Sequence, residues 1–98
     1  MTRVQVFLEN GFDHDEVVLR TADDEQRIQD VTTRYQIGLA TMVDVELPEH
    51  ASVVQVAVPA RMLAAETVID PSRTPYVRVE ATDGSLVVRA GPDPPMYA

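Results

Sequence analysis

The chain has 98 residues and a formal net charge of −8, and all of its basic residues are arginine. That length fits one domain and leaves no room for a second. The acidic balance repels nucleic acid and anionic membrane surfaces, and the absence of cysteine excludes a disulfide framework, a thiolate metal site and a cysteine nucleophile. The opening MTRVQVFLEN has neither the basic start nor the apolar run of a signal peptide. No stretch approaches the ~18 consecutive apolar residues of a membrane span. The expectation is a soluble, cytoplasmic chain without a nucleic-acid or membrane partner.

Strand patterns dominate. In RVQVFLE, Val4, Val6 and Leu8 fall on one face and Arg3, Gln5 and Glu9 on the other, with Phe7 interrupting the polar face. NGFDHDE, residues 10–16, follows as a turn that reads as a hairpin connection, Phe12 capping the core edge. EVVLR is short and β-branched. ADDEQRIQDVTTRYQ places Ile28, Val31 and Tyr35 at helical spacing behind a run of acids, yet VTTRY suits a strand, and residues 22–35 are read as strand with helix as the alternative. MVDVELP and SVVQVAVP alternate again, and Val53 and Ala57 suggest that the second of these is buried on both faces.

Pro59 stands where a helix can begin, but residues 60–68 are read as extended because TVID is β-branched. DPSRTP is a loop, its two prolines lacking backbone donors. YVRVEA and SLVVR flank Asp83-Gly84, a dipeptide suited to a tight hairpin turn. Residues 92–98, GPDPPMYA with its leading glycine, form a proline-rich C-terminal tail outside the domain of residues 1–91; Met96 and Tyr97 either fold back over an apolar patch or stay disordered. The sum is an all-β, small antiparallel β-sandwich of seven to eight strands. The short Val-rich strands and the late Asp-Gly hairpin resemble immunoglobulin-like and transthyretin-like accessory modules in architecture, although the Cys…Trp…Cys of true immunoglobulin domains is absent.

Few residues announce chemistry. Asn10, Asp13, Asp15 and Glu16 are hard oxygen donors, the set a calcium-type cation site needs, but without the ligand order of an EF-hand. The acids of TADDEQ, 21–26, can join them only if both loops share one end of the sandwich. His14 and His50 are flanked by acids in polar stretches, as exposed loop histidines are. No nucleophile elbow, phosphate loop or dinucleotide fingerprint is present, and no cofactor is implied. Arg27, Arg34, Arg73 and Arg78 offer a spot for an acidic partner or, in so acidic a chain, pair locally.

Phe7, Val17 and Tyr76 sit where strict alternation places polar residues, and Val53 does so on the second face of its strand. They are the candidate contact residues for a protein partner or a homodimer. The expectation is therefore a non-enzymatic interaction module using a sheet face or edge. The alternative is a small ligand- or cation-binding domain using the loops at 10–16 and 21–26.

Overall fold

The computed structural model describes residues 2–97. Eight strands follow in order: β1 Thr2–Leu8, β2 Asp15–Arg20, β3 Glu25–Val31, β4 Thr41–Leu47, β5 Ser52–Val58, β6 Leu63–Ile69, β7 Tyr76–Ala81 and β8 Leu86–Gly91. A single 3₁₀ turn, Pro59–Arg61, joins β5 to β6 with Pro59 in its first turn, so the helix-start signal is real but the helix stops after three residues. It ends at Met62, whose left-handed backbone (φ 56°) reverses the chain into β6.

The strands form two four-stranded sheets, ordered β4-β1-β7-β8 and β3-β2-β5-β6. The inward positions are those that alternation assigns: Val4, Val6, Leu8, Val45, Leu47, Val77 and Val79 from the first sheet, and Leu19, Val54, Val56 and Val58 from the second. All of these are buried, and they meet between the layers as one core. The Asp83-Gly84 hairpin forms as expected, closed by the Thr82 N–H donating to the Ser85 carbonyl at 2.9 Å.

Three features depart from the sequence reading. First, the sandwich is not wholly antiparallel, because β1 pairs with β7 in parallel. Most of the chain lies between those two strands, so the crossover that a parallel pair demands is amply long. Second, residues 10–16 are not a hairpin. β1 pairs with β4 and β7 while β2 pairs with β3 and β5, so this segment carries the chain from one sheet to the other. An immunoglobulin sandwich keeps its first two strands in one sheet; here they lie in opposite sheets, and the strand order differs from the immunoglobulin one. Third, β5 is not buried on both faces, since Val53 is 49% exposed on its outer side.

The middle segment that imitates a helix is strand β3. Its register against β2 slips between Asp15↔Val31 and Val17↔Ile28, so β3 carries one extra residue there. Asp30 absorbs that residue with a positive φ of 55°. The bulge restores parity, so Ile28 and Val31, three apart, both turn toward the core. Tyr35, the third member of the apparent helical stripe, is 75% exposed beyond the strand.

Candidate functional site

The segment 10–16 is held by its neighbours rather than presented to a ligand. Phe12 is fully buried and belongs to the core itself, not to its edge. Gly11 has φ +91°, and a Cβ there would stand 1.8 Å from the Ala81 carbonyl oxygen, so only glycine permits this approach. The Ala81 N–H donates to the Asn10 carbonyl at 2.9 Å. Buried Thr33 clamps the other side: its hydroxyl donates to the Glu9 carbonyl (2.6 Å) and accepts from the Phe12 N–H (3.1 Å), while its own N–H donates to the Phe12 carbonyl (2.9 Å).

Arg61, at the end of the 3₁₀ turn, completes the bracket. Its guanidinium donates to the Gly11 carbonyl (3.0 Å), to Asp15 Oδ2 (3.1 Å) and to the Thr82 carbonyl (3.0 Å). One planar fork thereby joins the inter-sheet crossing to the β7–β8 hairpin, a geometry that the shorter, single-headed lysine does not reproduce.

The four oxygen donors singled out from the sequence therefore do not converge. Asp15 is buried and engaged by Arg61 and by the Asp13 N–H. Glu16 points to the outer face of the second sheet, where Arg27 (3.1 Å) and Gln29 hold it. Asp13 and Asn10 are exposed. The acids of 21–26 lie at the opposite end of β2, where Asp24 caps its own turn by accepting the Glu25 N–H and Glu25 pairs with Arg20 at 2.6 Å. Among the described residues no group of three or more acidic or histidine side chains is placed to hold a metal ion.

His14 sits in a left-handed conformation (φ 51°) facing Asp30, itself left-handed, and its Nδ1 lies 2.5 Å from Asp30 Oδ1. The hydrogen bond to Asp30, then the charges of Asp30 and Asp13, raise the His14 pKa above its usual value. This is a His–Asp pair on an open bulge, both side chains 73% exposed.

The exposed arginines separate in the same way. Arg27 lies on the outer face of the second sheet with Glu16 and Glu25, and Arg78 on the first sheet with Glu9, so they do not make one cationic spot.

The four contact candidates also part company. Val17 is fully buried, with Ile28 opposite it, and is a core residue. The outward member of that dipeptide is Val18, flanked by Arg27 on β3 and Ala57 on β5 and only 1% exposed. Phe7 and Tyr76 lie on the outer face of the first sheet and are half-buried; Tyr76 stands opposite Gly91, and Phe7 has the Tyr97 ring over it, centroids 6.1 Å apart. Val53 alone is openly exposed, on the outer face of the second sheet.

Val53 is not isolated there. The β5–β6 register sets it directly opposite Val68, which is 64% exposed, and sets Ala57 opposite Ala64 on the same face. Gln55 and Glu66 separate these two pairs on that face, and Met62, 92% exposed, stands at the far end of the hairpin, beyond Ala57 and Ala64. Alongside Val53 runs an open groove of about 530 Å³ lined by Arg20, Ala22, His50, Val53, Gln55 and Glu66. An apolar cross-strand pair with a groove beside it, bordered by one arginine and one glutamate, is a surface suited to contact with another protein.

Val68 was findable from the alternation of LAAETVI, once that segment was taken as a strand with Leu63 and Ile69 inward. Arg61 and Thr33 carry no local signal, because each acts across elements distant in sequence. No protein-family model matches the chain, and no curated protein matches it.

Proposed function

We propose that this protein is a non-enzymatic interaction module that binds another protein, a second copy of itself included, through the outer face of β5 and β6. The observation that carries this reading is the exposed Val53–Val68 pair with an open groove beside it. Exposed single apolar residues are ordinary on protein surfaces. A cross-strand pair is different, since two β-branched side chains spend their hydrophobic area on water when either position would accept a polar residue at little cost to the sheet.

The non-enzymatic part of the reading rests on the engagement of the polar groups. The carboxylates of the inter-sheet crossing serve Arg61, Arg27 and Gln29, and His14, paired with Asp30, stands in the open. The expected resemblance to transthyretin-like modules concerns architecture and carries no function.

One exposed valine pair and the groove beside it fall short of the ~20–30 residues a side of a standard stable interface, so self-association through this face is expected to be weak and transient. Sedimentation equilibrium of the wild type against a Val53→Glu/Val68→Glu variant tests this. The reading expects reversible dimerisation in the wild type and a monomer in the variant, with matching circular dichroism spectra. Dimerisation of equal strength in both proteins would count against this face.

A further inference from the structure

The outer face of the first sheet carries a second and independent feature. It is largely polar, with Arg3, Gln5, Asp44, Glu46, Arg78 and Glu80 outward. Phe7 interrupts it at the centre, with Met42 opposite on β4 and Arg78 opposite on β7. Two residues on, Glu9 is buried, and its carboxylate accepts from Arg78 Nε at 3.0 and 3.1 Å. Beside it lies a small polar hollow of about 100 Å³ bordered by Asn10, Glu80 and Arg89.

Residues 92–97 come back across this face. Tyr97 lays its ring against Phe7, and its hydroxyl donates to Glu9 Oε2 at 2.5 Å. Burial, and then the bond to Glu9, push the Tyr97 phenol above the ordinary tyrosine range.

The chain length suits the path. Gly91 stands beside Tyr76, which stands beside Gln5, and Glu9 is four residues further along the same edge of β1. Two strand spacings and four residues make a diagonal of about 16 Å. Six residues in the polyproline conformation that Pro92, Pro94 and Pro95 favour reach about 19 Å.

Among the described residues no backbone hydrogen bond fastens 92–97 to the sheet, and Met96 is 96% exposed, so the hold is concentrated at Tyr97. This is the chemistry of polyproline recognition: a stiff, donor-poor segment adds little ordering cost, and an aromatic contact with one polar anchor fixes its register.

We propose that the Phe7–Glu9–Arg78 face is a docking site for an extended proline-rich segment bearing a tyrosine, and that residues 92–97 are its resident occupant in cis. The ring seats on Phe7 and the phenol O–H donates a hydrogen bond to the Glu9 carboxylate, which Arg78 also holds. Pro94 and Pro95 set the spacing. A ligand in trans reaches the site only by displacing this strap, which competes at an effective concentration on the order of millimolar.

The test is a nuclear magnetic resonance titration of the isotopically labelled full chain with the peptide GPDPPMYA. In a Tyr97→Ala chain, saturable shifts are expected at Phe7, Glu9 and Arg78. In the wild type the same peptide should bind at least about tenfold more weakly. A peptide with alanine for its tyrosine should bind neither. If the Tyr97→Ala chain loses its fold, Pro94→Gly/Pro95→Gly loosens the strap while keeping its anchor, and the same ranking is expected against the wild type. No saturable binding by the loosened chain at several millimolar peptide, equal binding by wild-type and loosened chains, or equal binding of the alanine peptide would each overturn the proposal.

Discussion

Replacing Thr33 by valine isolates the hydrogen bonds that pin the inter-sheet crossing. Valine keeps the β-branched shape and the backbone bond from the residue 33 N–H to the Phe12 carbonyl, but it removes the hydroxyl. That hydroxyl serves two buried main-chain groups, accepting from the Phe12 N–H at 3.1 Å and donating to the Glu9 carbonyl at 2.6 Å. Each buried group left without a partner costs about 1–3 kcal/mol. The methyl group gained offsets part of this, so the net loss is about 2–4 kcal/mol against a typical total of about 5–15. With a urea slope of about 1–3 kcal/mol per molar, the unfolding midpoint falls by about 0.7–4 M. Thr32→Val is the internal control: its hydroxyl accepts the exposed His14 N–H, which water can serve instead, so the loss stays within about 0.5 kcal/mol. Chemical denaturation of the two variants, side by side with the wild type, reads both values. Equal effects from Thr32→Val and Thr33→Val would refute the view that this crossing is a pinned structural bracket.

Gly11→Ala should destabilise by an amount comparable to Thr33→Val. A non-glycine residue at φ +91° costs about 1–2 kcal/mol, and its Cβ forces the crossing off the Ala81 carbonyl, losing a backbone bond of about 1 kcal/mol. A thermal midpoint unchanged by this substitution would show that the close approach is not required. The His14 titration carries a sign that can be checked. Its folded pKa is raised, chiefly by the bond to Asp30, so the stability it contributes is complete below the unfolded value of 6.5 and is lost as pH rises through the higher folded value. In an Asp30→Asn chain the titration midpoint of His14, followed by its ring-proton resonance, should move down; an unmoved midpoint would detach Asp30 from the shift.

The strands were legible because each buries one face, and two-residue alternation reports that directly. Val4, Val6 and Leu8, or Val54, Val56 and Val58, need no tertiary knowledge to be placed inward. What alternation does not encode is which strands pair. Residues 10–16 look locally like any hairpin turn, and only Gly11 against Ala81, with Phe12 drawn into the core, makes them a crossing between sheets. Ile28 and Val31 mislead for a related reason: a bulged strand can turn residues three apart to the same side, which mimics helical period.

The misplacement of Val17 follows from an ambiguous pair. In EVVLR either valine can face inward, and the register with Ile28 decides it. Of the contact face, Val53 was visible as a break in pattern, whereas Val68 was hidden while residues 60–68 hovered between helix and strand. The couplings through Arg61, and through Tyr97 with Glu9, span 46 and 88 residues and leave no trace at short range.

The most direct test of the interaction surface is a dilution series of the isotopically labelled wild-type chain, followed by amide and methyl resonances. Concentration-dependent shifts are predicted to cluster at Val53, Val68 and the groove residues beside them, and to vanish in the Val53→Glu/Val68→Glu chain. Spectra that superimpose across the whole range, or shifts that gather on another face, would contradict the assignment of β5 and β6 as the contact surface.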